Sequence, residues 1–427
     1  MTRRARAWAA FGAWLGSLLL AGCAGIFQRS LPERPAEYAM AAPGGPLRVG
    51  AAERDITPAG QVYMAGFALG RTSTGVLSPL KARALVLVMG DQRVAIVGID
   101  NLGVMREDAD WIKSGLAGFT NGNVFLCASH THAGPDLIGL WGWYLATSGR
   151  DPEYVALLRR QVAAAVQEAL EGAAPAALVQ GQALLPPRGL VKNSNRSLVF
   201  DRRLSVLQAV ALDDGRPLGT LLHMACHPEV LRRGNTLLSA DYVGAFCDAW
   251  RDAGHGQAVF VNGALGAMVT PNVEHRDPRG VPEMGAQLCA LAESALNAAV
   301  PLPVDAIEVR RRDVYVPLTT FGLELGRLTM VIQRELYSGC ARSSVGWLRI
   351  GDFEAVAVPG EMEPVLAERL RDQLGRPRLV VFGLCDDELG YLLREVDARD
   401  EEFAYERSMS GCTRAGELVV QGLVGRR

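Results

Sequence analysis

Three of the chain's six histidines occupy positions from which they could do chemistry. His130 and His132 are separated by one residue and directly follow the apolar run 124–128. Side chains two residues apart in an extended segment share a face, so this pair can chelate a metal ion or place one ligand beside an acid–base group. His227 follows a second apolar run, 218–225, and is a more distant candidate ligand. Each histidine, taken alone, is equally compatible with a buried side chain hydrogen-bonded to the backbone.

A carboxylate completes a possible ligand set. Glu361 follows Pro359-Gly360 and stands before a helix predicted to begin at Pro364, so it is either an oxygen ligand or a favourable charge near a helix N-terminus. Two imidazoles, one carboxylate and an open position are typical of catalytic zinc, which polarises a carbonyl and lowers the pKa of its bound water to about 7. Amide hydrolysis needs both effects, because the carbonyl is a poor electrophile and the amine a poor leaving group. The sequence has no GxSxG elbow, HExxH motif, P-loop or dinucleotide-binding glycine motif, which excludes the commoner alternatives.

The elements that must position these residues are predicted strands that end in polar clusters. In α/β sheets, ligands bind where the loops at strand ends converge, so we expect these clusters to meet in one crevice. The strands and the residues after them are 124–128 before His130, 218–225 before His227, 258–262 before Thr270-Pro271-Asn272, 353–358 before Glu361, and 378–384 before Asp386-Asp387.

Strand and helix signals alternate through residues 47–427, which predicts an α/β domain. Two β-branched runs, 82–89 and 93–99, meet at Gly90-Asp91 and predict a hairpin. Asp151-Pro152-Glu153 predicts the start of a helix, with Asp as the cap and Pro in the first turn. Further helices are predicted at 240–253, 282–299, 323–335 and 364–374, the last ending at Gly375.

The first residues predict export. Arg3, Arg4 and Arg6 precede an apolar run, 7–21, that is shorter than the roughly 20 residues needed to span a membrane and is typical of a secretory signal. The segment from Leu20 to Cys23 resembles the bacterial lipobox, in which the cysteine is lipid-modified; an ordinary signal peptide with a chance cysteine is the alternative. We therefore expect a signal peptide at 1–22, the lipidated Cys23 and a flexible tether at 23–46, and attachment to the cell envelope, with the outer membrane favoured.

Composition excludes other classes of function. Without the three arginines of residues 1–22, the chain carries 41 basic and 46 acidic residues, so a nucleic-acid partner is not expected. The seven cysteines after Cys23 are odd in number and scattered, which argues against a disulfide framework. Cys340 and Cys412, both beside glycine, are the one pair to test for a bridge. No CxxC pair is present, so a cysteine-rich structural zinc site is not expected.

A set of ordered motifs between residue 49 and about residue 411 resembles the neutral/alkaline (non-lysosomal) ceramidases. The most specific single string is Ser129-His130-Thr131-His132-Ala133-Gly134-Pro135. The other motifs are Val49-Gly50, Arg54-Asp55-Ile56-Thr57-Pro58, Met64-Ala65-Gly66-Phe67, Lys81-Ala82-Arg83-Ala84, Asn195-Arg196-Ser197, His227, Asp241-Tyr242-Val243-Gly244, Val269-Thr270-Pro271-Asn272, Pro359-Gly360-Glu361, Tyr391 and Tyr405-Glu406.

The resemblance implies a role for each matching residue. The positions that correspond to zinc ligands are His130, His227, Glu361 and Tyr391. His132 corresponds to the general acid–base group, and Arg196 and Tyr405 correspond to groups that hold the substrate amide oxygen, where amide hydrolysis gains most of its rate. Composition alone would give Tyr391 as a half-buried aromatic residue and Arg196 as a solvated loop charge.

The resemblance also implies a fold and an activity. The expected architecture is an α/β domain of four α-β-β-α layers, with central mixed β-sheets flanked by helices. The expected activity is zinc-dependent hydrolysis, with one zinc ion per chain, of the N-acyl amide bond of ceramide-like lipids to a fatty acid and a long-chain amine. The alternatives are hydrolysis of another lipid amide or an ester, and a non-catalytic envelope lipoprotein on the same scaffold.

Three departures from the family pattern are visible. An acidic residue and a serine usually precede Pro-Asn, whereas this chain has Ala267-Met268-Val269-Thr270, so Thr270 stands in the catalytic serine's position. The sequence continues only briefly after the last motif, so the family's separate C-terminal β-sandwich is not expected. Tyr391 and Tyr405 are also spaced differently from the usual pattern.

Overall fold

The computed structural model describes residues 28–143, 147–195 and 199–425; Cys23 and Arg196, both singled out above, lie outside these ranges. The strands are β1 (Gln28–Arg29), β2 (Glu37–Pro43), β3 (Leu47–Asp55), β4 (Gly75–Val76), β5 (Lys81–Met89), β6 (Gln92–Ile99), β7 (Val124–Ala128), β8 (Ala174–Leu184), β9 (Val191–Asn193), β10 (Arg203–Ala211), β11 (Pro217–Met224), β12 (Leu237–Leu238), β13 (Ala258–Asn262), β14 (Val269–Pro271), β15 (Val300–Leu302), β16 (Ala306–Pro317), β17 (Leu336–Tyr337), β18 (Cys340–Ile350), β19 (Phe353–Ala357), β20 (Glu361–Met362), β21 (Val380–Phe382) and β22 (Tyr391–Leu392).

Six of the helices described lie between these strands in the chain, and the last two follow β22. The helices are α1 (Arg106–Lys113), α2 (Pro152–Glu171), α3 (Asp241–Trp250), α4 (Gly280–Asn297), α5 (Phe321–Leu328), α6 (Pro364–Leu374), α7 (Ala404–Ser408) and α8 (Ala415–Val424). A π-helical turn, Arg251–His255, extends α3, and 3₁₀ turns occupy Asp397–Arg399 and Glu401–Phe403. Across the described ranges, no helix has the length and apolar character that crossing a membrane requires.

Two mixed sheets form the centre of the molecule. The larger sheet has the order β13-β11-β10-β8-β3-β5-β6-β7, with β15 added beside β8. Its pairs β6–β7 and β11–β13 are parallel, whereas the hairpin β5–β6 is antiparallel. The smaller sheet has the order β1-β17-β18-β16-β2, and β19 and β21 extend it beyond β18. Strands such as β5 and β6 are almost wholly buried, as expected for strands covered on both faces.

Three apolar cores separate four layers. One core lies between α1–α4 and the larger sheet, and includes Leu158, Val97 and Phe260. A second lies between the two sheets, where Leu87 and Val309 contribute. The third lies between the smaller sheet and helices α6 and α8. The expected four-layer α-β-β-α arrangement, with mixed sheets flanked by helices, is therefore confirmed.

The local signals in the sequence correspond closely to the elements. Met89 lies opposite Gln92 in the predicted hairpin, and Gly90 has a φ of 58° in its two-residue turn. The Asp151 side chain accepts a hydrogen bond from the Glu153 backbone N–H at the start of α2. Helix α6 spans the predicted residues and ends at Gly375 in the left-handed conformation.

Three sequence expectations differ from the structure. The predicted helix 323–335 ends at Leu328 as α5, because Met330 adopts a φ of 60° and the chain turns so that Arg334 reaches a buried ion pair with Asp387. The predicted tether 23–46 is wrong for its last part, since β2 pairs with β16 and buries Met40 in the core between the sheets. The pair singled out for a possible bridge, Cys340 and Cys412, consists of free, half-buried thiols.

Gly50 marks a close approach of the larger sheet to a helix. A Cβ atom at Gly50 in β3 would lie 2.0 Å from the Ala169 carbonyl oxygen of α2 and 2.9 Å from the Ala173 nitrogen. Both atoms belong to the backbone, so they cannot move aside independently of the helix. The Val49-Gly50 motif therefore serves close packing.

We predict that Gly50→Ala lowers the free energy of unfolding by about 1–3 kcal/mol, the usual cost of overpacking. The matched control is Gly60→Ala, because an added Cβ at Gly60 meets nothing within 4 Å. Urea denaturation of both variants beside the wild type measures the difference. Equal midpoints for the two variants would contradict the close approach of β3 and α2.

Candidate metal centre

Two histidines at the ends of strands of the larger sheet have one ring nitrogen fixed by the backbone. His130, after β7, has Nδ1 2.7 Å from the Leu102 carbonyl oxygen, and His227, after β11, has Nδ1 2.8 Å from the Val269 carbonyl oxygen. Because a carbonyl only accepts, each Nδ1 carries the proton. In a neutral ring, Nε2 then keeps its lone pair for a ligand, the arrangement typical of metal-binding histidines.

The Glu361 carboxylate lies where these two lone pairs converge. Its Oε2 is 3.0 Å from His227 Nε2 and 3.5 Å from His130 Nε2. Burial by itself would raise the pKa of the Glu361 carboxyl, but the two imidazoles hold it below its usual range. Two imidazole nitrogens and one carboxylate oxygen therefore face a common point.

Tyr391 is brought to the same cluster by strand pairing. Strands β20 and β22 are parallel, and Glu361 lies directly opposite Tyr391. The Tyr391 hydroxyl is 3.2 Å from the Met268 sulfur. Burial, with the nearby Glu361 carboxylate, raises the pKa of the Tyr391 phenol well above its usual value. The phenol oxygen is a fourth donor beside the carboxylate, where the sequence motif alone gave no geometric reason to expect one.

His132 lies beside this set with both ring nitrogens unpaired. Its ring centroid is 5.1 Å from that of His130 and 5.7 Å from that of His227, and the three side chains offer ligand atoms within 4.8 Å of one another. Neither ring nitrogen of His132 has a hydrogen-bond partner among the described residues, although both are buried. Burial lowers the pKa of His132 well below its usual value. A neutral, buried imidazole without a partner is costly and marks a place where a ligand belongs.

The donor set fits a zinc ion. Zinc takes imidazole nitrogen and carboxylate oxygen ligands and keeps an open position at catalytic sites. His130, His227 and Glu361 supply those atom types, Tyr391 supplies a further oxygen, and His132 is adjacent and unpaired. The structure thus brings together the four residues named from the resemblance, and His132 lies near enough to His130 and His227 to be a further candidate ligand.

The segment 64–67 holds the His132 ring in place. Gly66 has a φ of +97°, and a Cβ atom there would lie 2.6 Å from the His132 ring. Phe67 contacts the ring edge-on at a centroid distance of 4.8 Å, and the Arg71 guanidinium donates to the His132 carbonyl oxygen. This packing explains why glycine and then phenylalanine occur in the motif.

Strained backbone surrounds the ligands. His130 has a φ of +73°, and the consecutive residues Ala267 and Met268 have φ values of +56° and +58°. Residues with a Cβ rarely adopt this region, and such strain is concentrated at functional sites. The His130 backbone N–H donates to the Asn101 carbonyl oxygen at 2.8 Å, which holds the strained residue in position.

Tyr405 lies at the open edge of the cluster. Its ring centroid is 6.1 Å from that of Tyr391, and its side chain is half-exposed. Partial burial of its hydroxyl end, with the Glu361 charge, raises the pKa of Tyr405 to about 12, so it is a neutral hydrogen-bond donor. Tyr405 lies in helix α7. The segment that ends at residue 195 is hydrogen-bonded to the same helix, because Asn195 Nδ2 donates to Glu406 Oε1 at 2.9 Å.

Thr270 has a carboxylate partner that sequence reasoning missed. The Thr270 hydroxyl donates to Glu229 Oε1, and Arg276 donates to the Glu229 carbonyl oxygen at 2.8 Å. Both Thr270 and Glu229 are buried. Glu229, only two residues after His227, therefore places a carboxylate on the Thr270 hydroxyl. That closeness to a candidate ligand was the available signal.

An apolar pocket adjoins Glu361. It was not predicted from the sequence, because its walls come from segments far apart in the chain. The residues that line it are Leu102, Met105, Ile138, Leu140, Trp141, Val316, Leu318, Leu323, Ile332, Arg334, Ala341, Glu361, Glu388, Leu389, Gly390, Met409 and Gly411.

Comparisons with known proteins concern the family and the fold of the chain. The model of the N-terminal region of neutral/alkaline non-lysosomal ceramidases matches residues 47–297. The crystal structure of the neutral ceramidase from Pseudomonas aeruginosa superposes with a TM-score of 0.72 and 19% identity, over 89% of this chain and 74% of that chain. A ceramidase complexed with C2 gives 0.72 and 18%, over 88% of this chain and 75% of that chain. A search of curated proteins returns no match.

We predict that the purified chain binds about one zinc ion and that His130→Ala, His227→Ala and Glu361→Gln lose it. His132→Ala should keep the metal, because the ligand set assigned here does not include it. His275→Ala is the matched control, since His275 is paired with Glu283 away from the cluster. Elemental analysis of the folded variants measures the content. Loss of zinc in His132→Ala together with retention in Glu361→Gln would replace this assignment by a three-histidine site.

Proposed function

The chain belongs to the neutral/alkaline non-lysosomal ceramidases, a family of amide hydrolases whose model matches more than half of it, and on this premise we propose that it cleaves the N-acyl amide of ceramide-like lipids with the aid of zinc. The products are a fatty acid and a long-chain amine. The observation that carries the proposal is the unpaired, neutral imidazole of His132 beside the His130–His227–Glu361 cluster.

The ion and the protein have separate tasks. A zinc ion held by His130, His227, Glu361 and Tyr391 would polarise the amide carbonyl and make water more acidic. His130 and His227 keep their Nε2 lone pairs directed at the site because Leu102 and Val269 bind the other nitrogens. Fixed ligands require little reorganisation when charge develops during the reaction.

His132 handles the proton in this proposal. Its low pKa leaves the imidazole neutral near pH 7, so a ring nitrogen can take a proton from the attacking water. The same group can then deliver the proton to the leaving nitrogen. Without that proton, the amine would have to leave as an unstable nitrogen anion. Gly66 and Phe67 hold the ring at that position.

The carbonyl oxygen gains negative charge as water attacks, and neutral or cationic donors stabilise it. Tyr405 keeps its proton because its pKa is raised to about 12, so its hydroxyl can donate to that oxygen. Arg196 has the same role by resemblance. The Asn195–Glu406 hydrogen bond joins the segment that ends at residue 195 to the helix with Tyr405.

The pocket beside Glu361 supports a lipid substrate. Most of its walls are apolar side chains, including Ile138, Leu140 and Trp141. Burial of apolar surface contributes about 0.8 kcal/mol per methylene group, so a hydrocarbon chain gains binding energy there while its amide remains near the metal ligands.

We predict that His132→Ala lowers kcat for amide cleavage by about 10²- to 10⁴-fold, the usual range for loss of a general acid–base group, while zinc content is unchanged. Fatty acid released from an N-acyl long-chain amine is measured for wild type, His132→Ala and the His275→Ala control. A matched ester is assayed in parallel. Cleavage of the ester alone by the zinc-bound wild type would overturn the amidase proposal.

We predict that Thr270 and Glu229 act as one unit. Thr270→Val and Glu229→Gln should each lower kcat about tenfold, and the double variant should lose little more, which corresponds to a coupling of about 0.5–3 kcal/mol for groups in contact. Thr270→Ser should keep most activity because it keeps the hydroxyl. Additive losses in the cycle, with zinc content intact in every variant, would show that the hydrogen bond has no part in turnover.

A further inference from the structure

Glu388 is a carboxyl group inside the apolar pocket without a full set of partners. Its Oε1 accepts a hydrogen bond from the Gly390 backbone N–H at 2.9 Å. Its Oε2 is buried and has no hydrogen-bond partner among the described residues, and the side chain as a whole is 8% exposed. Arg334, which also lines the pocket, directs its guanidinium to Asp387 instead.

The surrounding backbone makes room for this carboxyl. A Cβ atom at Gly103 would lie 2.8 Å from Glu388 Oε2 and 3.1 Å from its Cβ. On the other side, a Cβ atom at Gly360 would lie 3.5 Å from Glu388 Oε1. Gly360 immediately precedes Glu361, so the carboxyl is held between Gly103 and the strand end that carries a candidate metal ligand.

A buried polar atom without a partner is destabilising, and an apolar side chain would avoid that cost in a pocket that bound hydrocarbon alone. The pocket therefore lacks one polar partner at a defined place beside the metal ligands. A hydroxyl group suits it in either protonation state, since it donates to a carboxylate and accepts from a carboxylic acid.

We propose that Glu388 forms a subsite for a hydroxyl group carried by the lipid close to its scissile amide. The proposal rests on the proposed function and adds a determinant of specificity to it. A site built around a buried hydrogen-bonding group rejects an analogue that lacks the partner, because that group then stays unpaired. The hydroxyl stands either on the long-chain amine or on the acyl chain, and the two sources are separated by the choice of substrate.

The test compares three N-acyl long-chain amines of equal length: one without a hydroxyl, one with a hydroxyl on the amine part near the amide, and one with a hydroxyl beside the acyl carbonyl. We expect the wild type to prefer one hydroxylated substrate over the plain one by about ten- to 100-fold in kcat/KM. Glu388→Leu should remove that preference by slowing the hydroxylated substrate and sparing the plain one. Glu388→Gln, which still hydrogen-bonds, should keep part of it.

The control is Leu140→Met, which alters the pocket wall without a charged or hydroxyl group and should change all three substrates alike. Zinc content and thermal unfolding are measured for every variant. Equal rates of the wild type on all three substrates, or an equal loss on all three in Glu388→Leu, would overturn the subsite.

A failure of the proposed function can be distinguished experimentally from a failure of the Glu388 subsite. If the zinc-bound wild type cleaves none of the amides, titration calorimetry with the same uncleaved compounds makes the comparison instead. Tighter binding of a hydroxylated amide in the wild type, lost in Glu388→Leu, supports the subsite without catalysis. Equal binding of all three overturns it.

Discussion

The Glu361 carboxylate is buried, and a buried charge costs several kcal/mol unless opposite charge or hydrogen-bond donors compensate it. The Nε2 atoms of His130 and His227 lie 3.5 Å and 3.0 Å from its Oε2, and a cation held between these three atoms would compensate the charge. Those histidines follow strands of the larger sheet, whereas Glu361 follows β19 of the smaller sheet. The two sheets must therefore meet with their strand ends aligned, and the apolar core between them holds that alignment.

A second buried carboxylate, that of Asp386, joins the strand ends of the two sheets. Asp386, after β21, is bound by Lys113 at 2.9 Å and by Arg311, and it accepts a hydrogen bond from the Leu126 backbone N–H in β7 at 3.1 Å. Burial would raise the pKa of Asp386, but these two cations hold it well below its usual range. Helix α1, strand β16 and strand β7 thus converge on the Asp386 side chain, and Leu126 in β7 lies four residues before His130. Ion pairs therefore fix the relative positions of these elements, whereas the His132 ring has no partner among the described residues and is available for chemistry.

The sequence predicted what depends on local pattern. Strand β7 and helix α6 are visible in apolar periodicity and capping residues, and the three histidines follow from their positions after strands. It did not predict what depends on contacts between distant segments. Glu229 becomes a partner of Thr270 only through folding, and Asp386, grouped with the chemical residues, is occupied by ion pairs. The proline and glycine residues in the sequence around β2 are typical of a linker, but β2 pairs with the edge of β16 that β18 leaves open.

The pairing of β2 with β16 has a consequence for the order of folding. Met40 lies opposite Val309, so the smaller sheet joins the beginning of the described chain to a strand made far later in synthesis. Contacts of this range slow folding, because a long loop must close before the pairing stabilises anything. During synthesis, the segment with His130 and His227 emerges well before Glu361 and Tyr391. The imidazoles are consequently present for a time without the Glu361 carboxylate. Until β16 has emerged, the edge of β2 that pairs with it is also unpaired. Nascent chains of these intermediate lengths are the most exposed to misassembly.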